Sequence, residues 1–140
     1  MDTHNPNPVP ESLIHYWTMW NEADLEAVRG HLNQAVTENV EWVDPLHSFV
    51  GRDALEANVR SLRTEKPEYY FALASEFDIH HDRVRYRWDM MRKHRVLLEG
   101  LDVVTIDVSG LISRVEGFFG HPKPLGPASE IPDHLRPRPS

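Results

Sequence analysis

Two aspartates stand in stretches that otherwise read as buried strand: Asp44 in Val40-Glu41-Trp42-Val43-Asp44-Pro45, and Asp102 in Leu97-Leu98-Glu99-Gly100-Leu101-Asp102-Val103-Val104-Thr105-Ile106. A carboxyl group in apolar surroundings must find partners or keep its proton through a raised pKa. Two carboxyls with differently perturbed pKa values can divide a proton-transfer reaction between them. Either Asp alone also fits a structural hydrogen bond, but both together, with aromatic residues on the same strands, point to a pocket. A base that moves a carbon-bound proton should be an ionised carboxylate at the rim of such a pocket, and Asp44 at a strand end beside Pro45 suits that place. An oxyanion donor should be preorganised and hard to ionise, which suits the Tyr16 phenol on a packed helix and the Asp102 carboxyl among Leu98, Val104 and Trp88. For Tyr16 the alternative is a core aromatic with its hydroxyl on a backbone carbonyl.

Other titratable residues offer less. His47 follows Asp44 on the same loop and either assists or replaces the base, or caps the next helix. His80-His81-Asp82 has metal-ligand residue types, but adjacent strand residues point to opposite faces and Asp82 begins a turn, so a solvated hairpin is expected. His94 falls in another turn. No metal and no cofactor is predicted, and Gly51-Arg52-Asp53-Ala54 reads as a helix start rather than a phosphate loop.

The elements that must position these groups follow from periodicity. Leu13, Tyr16, Trp17 and Trp20 recur at helical spacing and predict a first helix ending near Asn21. Asp24 is placed to cap a second helix carrying Leu25, Val28 and Leu32. Alternation from Thr37 to Asp44 predicts a strand that Pro45 ends, and Gly51 opens a third helix running to about Arg63. The remainder reads as sheet. Phe71, Leu73, Phe77 and Ile79 form one side of a first long strand. Val84, Tyr86, Trp88 and Met90 form one side of the next, with Arg83, Arg85, Arg87 and Asp89 opposite. Leu98, Gly100, Asp102 and Val104 share a face of a third, and Val115, Gly117 and Phe119 a face of a fourth. Helices first and a curled antiparallel sheet after is an α+β layout with one sheet face covered by helices. Gly100 and Gly117 are expected to leave space there, with Trp42, Trp88, Tyr86, Met90, Val104 and Phe119 as substrate walls.

The 140 residues suit one domain, expected over residues 11–120 between tails at 1–10, expected to be disordered, and 121–140, which is rich in Pro. A formal net charge of -7 argues against partnership with nucleic acid or an anionic membrane surface. The absence of cysteine excludes disulfides, a thiolate nucleophile and a zinc knuckle. No apolar run approaches the roughly 20 residues of a membrane span, and the polar start does not resemble a signal peptide, so a cytoplasmic location is expected.

The order helix, helix, strand ending in Asp-Pro, Gly-started helix, then long strands with a late Gly-x-Asp and a terminal Phe-Phe-Gly resembles the nuclear transport factor 2-like superfamily over about residues 11–120. Within it the chain resembles the SnoaL-like branch, and the ketosteroid isomerases in particular. The resemblance implies a cone-shaped α+β barrel that commonly pairs through its outer sheet face as a homodimer. It implies Asp44 as the proton shuttle, with Tyr16 and a protonated Asp102 holding the enolate oxygen. The predicted function is therefore a cofactor-independent isomerase of a small apolar carbonyl compound. A related cyclase, dehydratase or hydrolase is one alternative, and a non-catalytic protein that binds a small apolar ligand is another. The limonene epoxide hydrolases carry an Arg two residues before their late-strand Asp. Here that position is Gly100, which disfavours their chemistry. Polyketide cyclases place their acid-base Asp elsewhere, and only Glu116, expected to point outward, lies near that region. Burial of Asp102, with no Lys or Arg at neighbouring inward positions, is expected to leave it protonated near neutral pH.

Overall fold

A computed structural model describes residues 8–138, in the order α1 (Glu11–Trp20), α2 (Val28–Ala35), β1 (Val36–Asp44), β2 (His47–Val50), α3 (Arg52–Glu65), β3 (Tyr70–Leu73), β4 (Asp78–His80), β5 (Arg83–Arg92), β6 (Arg95–Ile106) and β7 (Ile112–Phe119). The architecture is α+β, with the helices preceding most of the sheet. The expected N-terminal tail lies mostly outside the described residues. After Phe119 the described chain is irregular apart from a short 3-10 turn at Asp133–Leu135.

α1 begins after Pro10 and buries Leu13, Tyr16, Met19 and Trp20, one stripe of an amphipathic helix. It stops at Asn21, whose side chain behaves like a strand partner. Its Nδ2 donates to Phe71 O at 2.8 Å, and its Oδ1 accepts from Phe71 N at 2.7 Å. This pair of bonds fixes the end of α1, and with it Tyr16, against β3. Asp24 caps as expected, accepting from Glu26 N at 3.0 Å, but the segment starts as a 3-10 turn, Leu25–Ala27, before α2 proper.

The strands form one sheet in the order β2-β1-β7-β6-β5-β3, with β4 also paired to β5. All pairings are antiparallel except β1 with β7, which is parallel. The sheet does not close on itself. The expected long strand from Phe71 to Ile79 is instead two short ones, because Ser75 interrupts the ladder. Its hydroxyl accepts from Arg87 N at 2.7 Å, in the place a neighbouring backbone carbonyl would take.

Val84, Tyr86 and Trp88 on β5, with Asp102 and Val104 on β6, face the helices and are buried. Arg83 and Arg85 are exposed on the opposite face, paired with Asp82 and Asp78. Leu13, Leu32, Val59 and Val104 form the centre of the core, at 0% exposure.

Gly100 has a different use from the one expected. It pairs directly across from Trp88, and a Cβ there would lie 2.0 Å from the Trp88 Cζ2 atom. The space is therefore occupied by the indole, which lies flat over β6 because residue 100 has no side chain. Gly100→Ala should force the ring out and cost about 1–3 kcal/mol of stability, the usual penalty of overpacking a filled site. Urea denaturation together with the tryptophan emission spectrum checks this, and an unchanged midpoint and spectrum would contradict it.

Candidate active site

The sheet register assembles a row of residues across five strands. Asp44, the last residue of β1, pairs with His47 of β2. On its other side β1 runs beside β7, and one residue beyond the Val43–Glu116 pair stands Gly117. Gly117 pairs in turn with Asp102 of β6, and Asp102 with Tyr86 of β5. A Cβ on Gly117 would meet Asp102 Oδ1 at 3.0 Å and Asp44 Cβ at 3.3 Å. The missing side chain is thus the gap across which the two carboxylates face each other.

Asp102 is 7% exposed and fully engaged. Tyr86 Oη donates to its Oδ2 at 2.9 Å, and Trp88 Nε1 donates to its Oδ1 at 3.0 Å. Burial pushes its pKa up to about 6, with the charge of Asp44 adding to the rise and the two hydrogen bonds opposing it. The rise is in the direction expected from burial, and the two donors, which were not foreseen, limit it. The pair of donors favours the carboxylate form, against the burial that favours the protonated one. Tyr86 and Val104 are not substrate walls. Both lie beneath the surface of the cavity in the core, and Tyr86 instead supports Asp102.

Tyr16 is buried on α1, and its hydroxyl accepts from Trp42 Nε1 at 2.9 Å. Among the described residues no side-chain or backbone acceptor takes the Tyr16 proton, which leaves that hydrogen available to a ligand. Burial, then the charges of Asp102 and Asp44, drives its pKa far above the ordinary phenol range. Tyr16 therefore stays neutral and can donate a hydrogen bond.

Asp44 is held by its own turn. Its Oδ1 accepts from Leu46 N and His47 N, both at 2.8 Å, and lies 3.1 Å from His47 Nδ1. These contacts converge on one oxygen and, among the described residues, leave Oδ2 as the atom free to take a proton. His47 is the more exposed partner, with 40% of its side chain accessible against 9% for Asp44.

Tyr16, Asp44, His47 and Asp102 all line one cavity of about 310 Å³. Trp42, Trp88, Met90 and Phe119 line it too. Residues not anticipated as walls complete it: Trp17 and Trp20 of α1, Leu46 of the turn after β1, Phe71 of β3, Leu98 of β6, and Asn58, Ser61, Leu62 and Glu65 of α3. Helical spacing from Tyr16 signalled Trp20. The α3 set sits at positions i, i+3, i+4 and i+7, a single helix stripe, but its polar content reads as a solvated face. Among the described residues no cluster of His, Asp and Glu has the geometry to hold a metal ion. No helix there is long and apolar enough to cross a membrane.

A helical layer on a curved, mostly antiparallel sheet, enclosing a cavity against its concave face, is the cone of the nuclear transport factor 2-like fold. A SnoaL-like domain model matches residues 13–115, and the chain belongs to the SnoaL-like family. It is similar to a candidate isomerase of that family from Agrobacterium tumefaciens strain C58, at 32% identity over 79% of this chain and 95% of the other, with a TM-score of 0.73. Two more distant structures share the fold. A nuclear transport factor 2-like protein of unknown function from Exiguobacterium sp. 255-15 has 18% identity over 78% of this chain and 98% of its own, with a TM-score of 0.65. A candidate SnoaL-like polyketide cyclase from Jannaschia sp. CCS1 has 11% identity over 82% and 91%, with a TM-score of 0.64. No curated protein matches the sequence.

The folded pKa of Asp102, about 6, lies above the 3.8 of a free Asp side chain. Its ionisation therefore adds no cost below about pH 4, where both states are protonated. The cost grows as pH rises through the interval between the two values and is constant above it, because both states are then ionised. Over that interval the protein should lose on the order of 3 kcal/mol from this group. Asp102→Asn should remove the slope, as measured by denaturation between pH 4 and 7. Carbon-detected NMR titration of the carboxyl provides the direct reading.

Proposed function

We propose that the protein catalyses proton transfer between carbon atoms of a small apolar carbonyl compound, using only its own acids and bases. The observation that carries this reading is the convergence of one available hydroxyl and two carboxyl groups on an aromatic cavity that side chains do not fill. Asp44 Oδ2 takes a proton from the carbon beside the carbonyl, and the electrons of that C–H bond move to form an enolate. The negative charge collects on the carbonyl oxygen, where Tyr16 donates a hydrogen bond. Asp44 then returns the proton to another carbon of the conjugated system, which restores the carboxylate. His47 orients Asp44 through Oδ1 rather than replacing it. Asp102, when protonated, supplies a second donor beside Tyr16. An oxyanion bound there raises its pKa further by like-charge repulsion and so favours that state. The candidate isomerase from Agrobacterium tumefaciens is consistent with this class of reaction.

A panel of unsaturated ketones with ultraviolet detection of the shifted double bond tests the activity. Asp44→Asn should lower kcat by about 10²–10⁴ while ligand binding survives, and Tyr16→Phe by about 10²–10³. Because the protonated form of Asp102 is the donor, kcat/KM should fall as pH rises past about 6. Asp102→Asn, whose amide donates at every pH, should flatten that limb. A rate that rises through the same range would make Asp102 the base instead.

We also propose that a second copy pairs on the outer sheet face. That face bears Arg83, Arg85 and Arg87 alternating with buried residues, and Phe118 there is 62% exposed. Light scattering at micromolar concentration should then give twice the 16.2 kDa chain mass, and the single-chain mass would contradict the pairing.

A further inference from the structure

The cavity is polar at three places, and the proposed chemistry uses two of them, the Asp44–His47 pair and the blind end. At the blind end are Tyr16 and Asp102, both buried. At the mouth are Asn58, Ser61 and Glu65, one stripe of α3, with Ser61 and Glu65 exposed to solvent. Trp20, Trp42, Leu62 and Phe71 supply apolar wall on the same cavity. A ligand long enough to reach from one end to the other must therefore be polar at both ends and flat or apolar in the middle.

The acidic and basic lining of the cavity is nearly all of one sign. The cavity is lined by three carboxyl groups, Asp44, Asp102 and Glu65, and by no Lys or Arg. His47 is the one side chain there that could become cationic, and it is already against Asp44. The cations of α3 and of Lys66 just beyond it are directed elsewhere. Arg52 donates to Val36 O, Arg60 pairs with Glu26 and Glu56, Arg63 donates to Tyr69 O, and the Lys66 ammonium lies 5.8 Å from the centre of the Tyr69 ring. Glu65 accepts from Ser61 Oγ at 3.3 Å, so its remaining lone pairs are acceptors without a fixed partner among the described residues.

We propose that Glu65, with Ser61 and Asn58 beside it, sets the specificity of the cavity for a ligand whose outer end is a hydrogen-bond donor, a hydroxyl or an ammonium group, and that it excludes carboxylates. This rests on the reading of Tyr16 and Asp102 as the place that holds the carbonyl or enolate oxygen. An acid at the outer end would meet Glu65 with no cation to offset the repulsion, whereas an ammonium group would be attracted by it. The preference is an exposed-site effect, so added salt weakens it.

Isothermal titration at pH 7 with four naphthols tests the assignment. The parent is 2-naphthol, whose phenolic oxygen mimics the enolate, and the others carry a 6-hydroxy, a 6-aminomethyl or a 6-carboxylate group. The aminomethyl and hydroxy compounds should bind more tightly than the parent. The carboxylate should bind roughly tenfold more weakly than the aminomethyl compound or worse, with the gap narrowing in 0.5 M salt. In Glu65→Lys, a surface change at the end of α3 whose folding a thermal melt checks, the order of the amine and the acid should invert. Equal affinity for amine and acid, or an unchanged order in Glu65→Lys, would overturn the assignment while leaving the deep end intact. If 2-naphthol does not bind, or binds Tyr16→Phe as well as wild type, the reading of the deep end fails, and the specificity assignment falls with it.

Discussion

Holding a carboxylate inside an aromatic core is the constraint around which the rest of the molecule is arranged. Asp102 has lost nearly all its water, and an isolated buried carboxylate would simply stay protonated. Tyr86 and Trp88 prevent that by donating one hydrogen bond to each oxygen. Their position is itself conditional. The Trp88 ring reaches Asp102 because Gly100 has no side chain, and Tyr86 reaches it because the β5–β6 register places the two directly opposite. The result is a group balanced between its two states close to physiological pH, where a small change in surroundings moves the proton.

Asp44 solves the same problem differently. It lies at the end of a strand, next to a turn whose backbone N–H groups supply partners without any aromatic donor. The two carboxyls are thus separated by one glycine but supported by unlike surroundings. Such a division allows one to serve as a proton acceptor and the other as a conditional donor. The charge of Asp44 also adds to the rise in the Asp102 pKa, so the first group favours the protonated state of the second.

The faces of β5, β6 and β7 were legible because each strand is buried on one side only, and alternation then has a single interpretation. Tyr16, Asp44, His47 and Asp102 could be selected for the same reason: polar groups in apolar surroundings stand out. What alternation cannot convey is which residue lies across the ladder. Tyr86 therefore read as a wall when its hydroxyl is the support of Asp102, and the opposition of that bond to the rise in the Asp102 pKa was not foreseen. The break between β3 and β4 was hidden because a Ser75 hydroxyl replaced a backbone acceptor, a local exchange with no periodic signature. The α3 stripe was missed because a polar helix face beside a cavity mouth has the same pattern as one in water.

The parallel pairing of β1 with β7 joins residues near position 40 to residues near position 115. Antiparallel hairpins such as β5–β6 can form as soon as their own residues exist, but this pairing closes a loop of most of the domain, and such non-local contacts form late and slowly. Together with the β6–β7 pairing, it brings Asp44 beside Asp102. During synthesis the aromatic donors of Asp102 can be in place on β5 and β6 while its acidic neighbour is still remote. The two-carboxylate arrangement then comes into being in one closing step, after the ribosome has released the last strand.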